Sequence, residues 1–114
     1  MLLNPDSYPT MRKVRQKLLS YDLESGFPNF QNLARSLNIS HQHLWRKLNN
    51  EGTSYQQIKD RLRYDIAVTY LGKPEFSMTE ITEKVGYLDK RHFYRMFKKW
   101  TGMPPGAYRE LLKP

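Results

Sequence analysis

The chain carries one pattern twice, as LARSLNISHQHLWRKLNNEG at residues 33–52 and as ITEKVGYLDKRHFYRMFKKWTG at residues 81–102. Residues in the first part of the pattern recur 48 positions later, and those in the second part recur 49 positions later, so that Phe93 answers Leu44 and Phe97 answers Leu48. The spacing predicts a short helix, a tight turn and a second helix in each copy. Two such units on one basic chain favour a protein that binds DNA at two places.

Both turns carry the residue types that a helix-turn-helix unit needs. Such a unit requires a small residue where its helices cross and a turn residue that tolerates a positive φ. Ala34 and Asn38 meet these needs in the first copy, and Gly86 supplies the turn in the second copy, which is one residue longer. Ser40 and Asp89 are predicted to cap the second helix of each copy.

Apolar periodicity predicts an all-α fold, because no stretch alternates with period two. Outside the two copies, we predict a helix from an N-cap at Thr10 to about Leu23, a helix over 54–72 of roughly 28 Å, and a last helix over Pro104–Leu112. The predicted organisation is an arm or linker stub at 1–9, a first helix-turn-helix lobe at 10–52, a linker helix at 53–73 and a second lobe at 74–114.

The amino-acid composition limits the kinds of partner that the chain can bind. Lys and Arg outnumber Asp and Glu by 19 to 11, which gives a net charge of +8 at pH 7 and a pI near 9.8. This balance suits nucleic acid or an anionic membrane surface, and a solvated basic surface without a partner is the alternative. The absence of cysteine excludes disulfides and thiolate sites. No apolar run approaches the roughly 20 residues that span a bilayer, so we expect a soluble, cytoplasmic protein without membrane contact.

A helical wheel separates the two faces of the second helix in each copy. In the first copy Leu44 and Leu48 define the buried side, and four residues face away: Gln42, Trp45, Arg46 and Asn49. In the second copy the core side holds Phe93, Met96, Phe97 and Trp100, and the outward side holds Arg91, Arg95 and Lys98. Arginine can donate two hydrogen bonds to guanine, and glutamine can pair similarly with adenine. Solvated polar faces are the alternative, and Trp45 could instead fold over the helix edge into the lobe.

From about residue 10 to 112, the chain resembles the DNA-binding region of the AraC/XylS family of bacterial transcription regulators. The resemblance rests on GTSYQQIKDRLRYDIAVTYL at residues 52–71, on ITEKVGYLDKRHFYRMFKKWTGMPPGAYR at residues 81–109, and on the order of the two units. It implies seven helices, with two helix-turn-helix lobes joined by a long central helix and both recognition helices inserted into successive major grooves. Thr82 stands where alanine is usual, which leaves room for looser packing of the second lobe.

The resemblance also assigns roles to individual residues. The residues expected to contact bases are Gln42, Trp45, Arg46, Lys90, Arg91 and Arg95. The resemblance places His92 and Tyr94 nearby, for bases or phosphates. Ser40, Asn49, Lys98 and Lys99 are also expected at the DNA backbone or flanking it, though the resemblance does not assign them. The implied partners are double-stranded DNA and RNA polymerase. The first recognition helix is one residue short before Gly52, a variant of members that carry an N-terminal sensor domain, so we expect an excised C-terminal domain.

Other chemistries find little support. His41 and His43 point about 200° apart on a helix and cannot chelate one metal, and His92 stands alone. No phosphate loop or catalytic triad order is present, so we expect neither an enzyme nor a cofactor. Glu80 and Glu83 are interpreted as solvated or as facing another protein. Two alternatives to specific DNA reading remain, a non-specific nucleic-acid binder and a helical protein-interaction domain, and they differ in their dependence on salt and sequence.

Overall fold

The computed structural model describes residues 8–114, and most of the predicted arm therefore lies outside the described residues. Within the described part the chain forms seven α-helices and no strand, which confirms the all-α prediction. The helices are α1 (Pro9–Leu18), α2 (Phe30–Ser36), α3 (His41–Asn50), α4 (Tyr55–Leu71), α5 (Met78–Val85), α6 (Lys90–Thr101) and α7 (Pro105–Leu111). None of these described helices is both long and apolar enough to cross a membrane.

Helix α1 differs from its prediction at both ends. Thr10 is not the N-cap, because the helix begins at Pro9 and Thr10 is buried inside it. The backbone N–H groups of Thr10 and Met11 donate to the two carboxylate oxygens of Glu51, each at 3.0 Å. A side chain from the end of α3 therefore performs the capping that was predicted for Thr10. The helix ends at Leu18, and Leu23–Ser25 forms a separate 3-10 turn.

The chain divides into two compact units. The first unit comprises the described residues up to Asp22 together with Gly26–Asp60, and the second comprises Leu23–Ser25 together with Arg61–Pro114. Helix α4 thus contributes its first residues to one unit and the remainder to the other. The 3-10 turn packs against α5 and belongs to the second unit, although it precedes α2 in sequence.

The core of the first unit is formed by the inward faces of its helices, and its buried residues are Val14, Leu18, Leu33, Ala34, Leu44, Leu48 and Ile58. The loop before α2 is fixed to the start of α4, because the Tyr55 hydroxyl donates to the Pro28 carbonyl oxygen at 2.7 Å. The Phe30 and Tyr55 rings also lie 5.6 Å apart, centre to centre. Helix α3 packs against α1 and α2 and buries only two of its own residues, Leu44 and Leu48.

The core of the second unit is more aromatic, and its cluster of buried residues consists of Ala67, Leu71, Ile81, Val85, Tyr87, Phe93 and Phe97. Phe97 makes edge-to-face contacts with Phe93 and with Tyr108, at 5.9 and 5.3 Å between ring centres. A hydrogen bond with Tyr64 raises the pKa of Tyr108. Thr82 is 3% exposed, and its hydroxyl donates to the Met78 carbonyl oxygen at 2.7 Å. The threonine is accommodated because its polar atom has a partner inside its own helix.

Arg109 closes the C-terminal end of α4. Its Nε donates to the carbonyl oxygen of Leu71 at 3.0 Å, and its Nη2 donates to those of Lys73 at 3.0 Å and Phe76 at 2.7 Å. The last carbonyl groups of a helix have no partner within the helix and carry partial negative charge. One guanidinium from α7 therefore satisfies the end of α4 and the loop that leads to α5.

Candidate nucleic-acid interface

In the first unit, α2 and α3 form the predicted helix-turn-helix. Asn38 has a φ of 60°, as predicted for the turn, and the Ile39 N–H donates back to the Ala34 carbonyl oxygen at 3.2 Å. Ser40 caps α3, because its hydroxyl accepts a hydrogen bond from the His43 N–H at 3.1 Å. These local bonds fix the direction in which α3 leaves the turn.

Helix α3 buries Leu44 and Leu48 and exposes its other eight residues: His41, Gln42, His43, Trp45, Arg46, Lys47, Asn49 and Asn50. The structure thus places Gln42, Trp45, Arg46 and Asn49 on the outward surface, with the capping Ser40 also exposed. Trp45 is 62% exposed and does not fold into the core. The indole is therefore available for contact with another molecule.

In the second unit, α5 and α6 form the other helix-turn-helix. Ser77 and Glu80 cap α5 reciprocally: the Glu80 N–H donates to the Ser77 hydroxyl, and the Ser77 N–H donates to the Glu80 carboxylate. Glu80 is therefore a capping residue of α5 and more than a solvated charge. Gly86 ends α5 with a φ of 94°, which confirms the predicted left-handed turn.

Asp89 caps α6 as predicted, accepting a hydrogen bond from the Arg91 N–H at 2.8 Å. This bond, followed by a side-chain bond from the Arg91 guanidinium at 3.2 Å, lowers the pKa of the Asp89 carboxyl group. The Arg91 side chain is 91% exposed, and a solvated pair of this kind is worth little free energy. Arg91 can therefore leave Asp89 for a DNA acceptor at small cost.

All but one of the predicted site residues of α6 are exposed. The exposed group consists of Lys90, Arg91, His92, Arg95, Lys98 and Lys99. Tyr94 is half-buried against the core, with its ring 5.9 Å from that of Phe93. The His92 ring lies edge-on to Tyr87 at 4.7 Å. Tyr94 thus serves the packing of α6 as well as its surface, which the sequence pattern did not indicate.

The two exposed surfaces share one electrostatic character. Neither α3 nor α6 contains an acidic residue, and α6 alone carries five lysine and arginine residues. Such surfaces can donate hydrogen bonds to phosphates and to the acceptor atoms of base edges. No group of three or more potential metal ligands occurs among residues 8–114. The exposed face of each helix can therefore hold a polyanion through many hydrogen-bond donors.

Several contributors escaped the sequence reasoning. Lys47 adds an exposed cation to α3. The helical wheel did not assign it to either face, because it lies between the buried side and the outward side. Leu88 is completely exposed in the turn before α6. The capping role of Glu80 could have been found, since Ser77 and Glu80 have the spacing of a reciprocal cap. Glu51 and Arg109 left no local signal.

Two helix-turn-helix units with exposed, polar and basic second helices define a DNA-binding protein. A family model described as a helix-turn-helix domain matches residues 33–111, and the chain belongs to the AraC-type family of helix-turn-helix DNA-binding domains. Members of this family are DNA-binding transcription regulators and not enzymes.

Individual relatives agree with this assignment. The chain is 38% identical over 100 residues to the ornithine utilization regulator of Pseudomonas aeruginosa, spanning 88% of this chain and 29% of that protein. The structure of the transcriptional regulator CdpR from Pseudomonas aeruginosa superposes with a TM-score of 0.79 at 30% identity, over 89% of this chain and 31% of CdpR. The C-terminal domain of AraT, a response regulator from Geobacillus stearothermophilus, superposes with a TM-score of 0.78 at 31% identity, over 90% of this chain and 85% of that one. The chain thus spans less than a third of its similar full-length regulators.

Proposed function

We propose that this chain is the sequence-specific, double-stranded DNA-binding part of a bacterial transcription regulator, acting in the cytoplasm. The observation that carries the proposal is the exposure of α3 and α6, which present polar and basic side chains outward. Each helix follows a tight turn and has a side-chain cap at its N-terminus. In helix-turn-helix proteins the second helix lies in the major groove and its N-terminal residues contact bases. We therefore assign one major groove segment to α3 and the successive one to α6.

Within this proposal the exposed residues have two tasks. Base reading falls to Gln42, Trp45, Arg46, Lys90, Arg91 and Arg95, and backbone contact falls to Ser40, Asn49, His92, Tyr94, Lys98 and Lys99. The base-reading positions are those that the family resemblance implies. Chemistry supports part of the division, because arginine and glutamine can make paired hydrogen bonds to bases, whereas Lys98 and Lys99 would act towards phosphate as point charges. RNA polymerase and an N-terminal sensor or dimerisation domain complete the proposed set of partners.

Selection of bound sequences from a random DNA library tests the proposal. A specific reader should yield a defined motif and prefer it over random DNA by about 10³-fold or more at physiological salt. A non-specific binder would show strong salt dependence with little preference among sequences. A protein-interaction domain would show little binding to any DNA, and either of these two results would overturn the proposal.

The size of the DNA site is the first prediction. Because both recognition helices belong to one polypeptide, a single molecule should cover two successive major groove segments, or about 20 base pairs. Hydroxyl-radical footprinting on the selected motif should show an asymmetric protected region, and the stoichiometry should be one chain per site. Protection of a single half-turn, or binding that requires a palindrome and two chains, would contradict it.

The second prediction separates base reading from phosphate contact. Arg46→Ala or Arg95→Ala should lose about 1–3 kcal/mol of binding free energy on the best site and relax the preference at one or two base positions. Lys98→Ala or Lys99→Ala should weaken binding to all sequences alike and reduce the salt slope by up to about one. The measurement is titration against the motif and its single-base variants at several salt concentrations. If Arg46→Ala left both the affinity and the selected motif unchanged, α3 would not be reading bases as proposed.

A further inference from the structure

Leu88 is the most exposed large apolar side chain of the described residues, with a relative exposure of 104%. It lies in the turn between α5 and α6, directly before the capping residue Asp89. The second turn is one residue longer than the first: Tyr87 corresponds to Ile39 with an offset of 48, and Asp89 to Ser40 with an offset of 49. Leu88 is the extra residue, and it points into solvent.

The position of Leu88 is fixed by its neighbours on both sides. Tyr87 is 8% exposed, and its ring stacks on Phe93 at 6.0 Å between ring centres. Asp89 is held by its capping bond to the Arg91 N–H. A leucine on a flexible loop could turn inward and bury its side chain, but here the backbone is anchored immediately before and after it. The apolar side chain is therefore presented outward at a defined place.

What surrounds Leu88 identifies what it can meet. Lys90 and Arg91, both exposed, follow it within three residues at the start of α6. Asp89 stands between Leu88 and these cations, but its carboxylate is engaged in the cap and in the pair with Arg91, so that Lys90 supplies a positive charge that attracts the phosphate backbone. The start of a recognition helix also lies closest to the base edges. Leucine has no hydrogen-bonding group, so it cannot read the donors and acceptors of the major groove. The apolar feature displayed there is the C5-methyl group of thymine.

We propose that Leu88 is a specificity-determining residue that contacts a thymine methyl group in the major groove beside the start of α6. The inference rests on the proposed function and deepens it, because it assigns one base preference to a residue outside the hydrogen-bonding set. The contact buries the leucine only in the complex, which accounts for its complete exposure in the free chain. A contact of this kind is possible only in the second helix-turn-helix, because the shorter first turn has no residue that corresponds to Leu88.

The test uses the selected motif and replaces its thymines one at a time with deoxyuridine, a change that removes only the methyl group. One replacement within the segment protected by α6 should weaken binding of the parent chain by roughly 3- to 5-fold, the scale of one buried methyl group. Leu88→Ala should bind the thymine site more weakly by a similar factor and should lose its sensitivity to that deoxyuridine. Leu88→Met, which restores an apolar side chain, should regain part of the sensitivity.

The matched control is Leu111→Ala, because Leu111 is also a strongly exposed leucine, at 68%, but lies in α7. It should match the parent on every site. A defined motif with no deoxyuridine effect, or a Leu88→Ala variant that keeps the full effect, would overturn this inference and leave the proposed function intact. Loss of affinity in Leu88→Ala that is equal on thymine and deoxyuridine sites would assign the residue to the DNA backbone and also overturn it. If no motif emerges, the proposed function fails and the inference fails with it.

Discussion

Replacing Arg109 with methionine is expected to lower the free energy of unfolding of the second unit by about 3 kcal/mol. Methionine retains much of the aliphatic volume but donates no hydrogen bond, so the carbonyl oxygens of Leu71, Lys73 and Phe76 lose their shared donor. Charge-assisted bonds are stronger than neutral ones, and partly buried acceptors left open are costly. The loss also removes a cation from the negative end of α4.

Fluorescence can measure this effect in the second unit alone. The chain has two tryptophans, Trp45 in the first unit and Trp100 in the second. In a Trp45→Phe background, urea unfolding followed through Trp100 reports the second unit. Lys113→Met is the matched control, because the Lys113–Glu110 ion pair is solvent-exposed and should be worth about 0.5 kcal/mol or less. Equal midpoints for Arg109→Met and Lys113→Met would show that the guanidinium bonds contribute no net stability.

The difference between Asn38 or Gly86 and Arg109 shows which parts of the fold could be predicted from the sequence. Asn38 and Gly86 could be identified because a left-handed turn depends on the residue itself. The caps at Ser40 and Asp89 were predictable for the same reason, since each bonds to an N–H two or three residues away. Where the cause of a structural feature lies within one turn of the chain, the residue types reveal it.

Long-range caps are invisible to this kind of reasoning. Glu51 bonds to Thr10 across 41 positions, and Arg109 bonds to Leu71 across 38. Nothing near Thr10 indicated that a distant carboxylate would cap α1, so the local residue was assigned the role. The predicted extension of α1 to Leu23 was wrong for a related reason: Leu23 packs with the second unit, where α5 provides its neighbours.

The candidate site was predictable in its exposure but not in its details. The wheel placed Leu44, Leu48, Phe93 and Phe97 inside, and all four are buried. It could not indicate that Arg91 pairs with Asp89 or that Leu88 protrudes, because side-chain pairing and the direction of an extra turn residue depend on the packed structure. Which exposed residues read bases stays a prediction, since the free chain has no base edge to orient them.

Gly86→Val is the second substitution with a large expected effect, about 3 kcal/mol or more in the stability of the second unit. The left-handed φ of 94° alone should strain any residue with a Cβ atom by about 1–2 kcal/mol. A Cβ atom at this position would also lie 2.7 Å from the Leu23 carbonyl oxygen, well inside van der Waals contact. Because that atom belongs to the backbone, it cannot move aside without shifting the 3-10 turn.

The two contributions can be separated with alanine variants. Gly102 also has a left-handed φ, 83°, but a Cβ atom there would meet nothing within 4 Å. Gly102→Ala should therefore show the backbone strain alone, and Gly86→Ala should show the strain plus the clash. Gly106→Ala has neither and should be neutral or slightly stabilising in α7. Asn38→Gly should be nearly silent, because glycine adopts the same φ at no steric cost.

The measurement for the second-unit variants is again the unfolding midpoint reported by Trp100, whereas Asn38→Gly, in the first unit, is followed through Trp45. DNA affinity is measured in chains that retain Trp45. If Gly86→Ala and Gly102→Ala are equally destabilised, the contact with Leu23 has no energetic weight and the 3-10 turn yields freely. If Gly86→Ala has a clearly lower unfolding midpoint than Gly102→Ala, the turn between α5 and α6 depends on a backbone segment from before α2. Gly86→Val should then also bind the selected DNA site more weakly, because Gly86 sets the direction in which α6 leaves the turn. A Gly86→Val variant that unfolds like the parent would mean that the second turn tolerates a Cβ atom, contrary to the geometry on which this prediction rests.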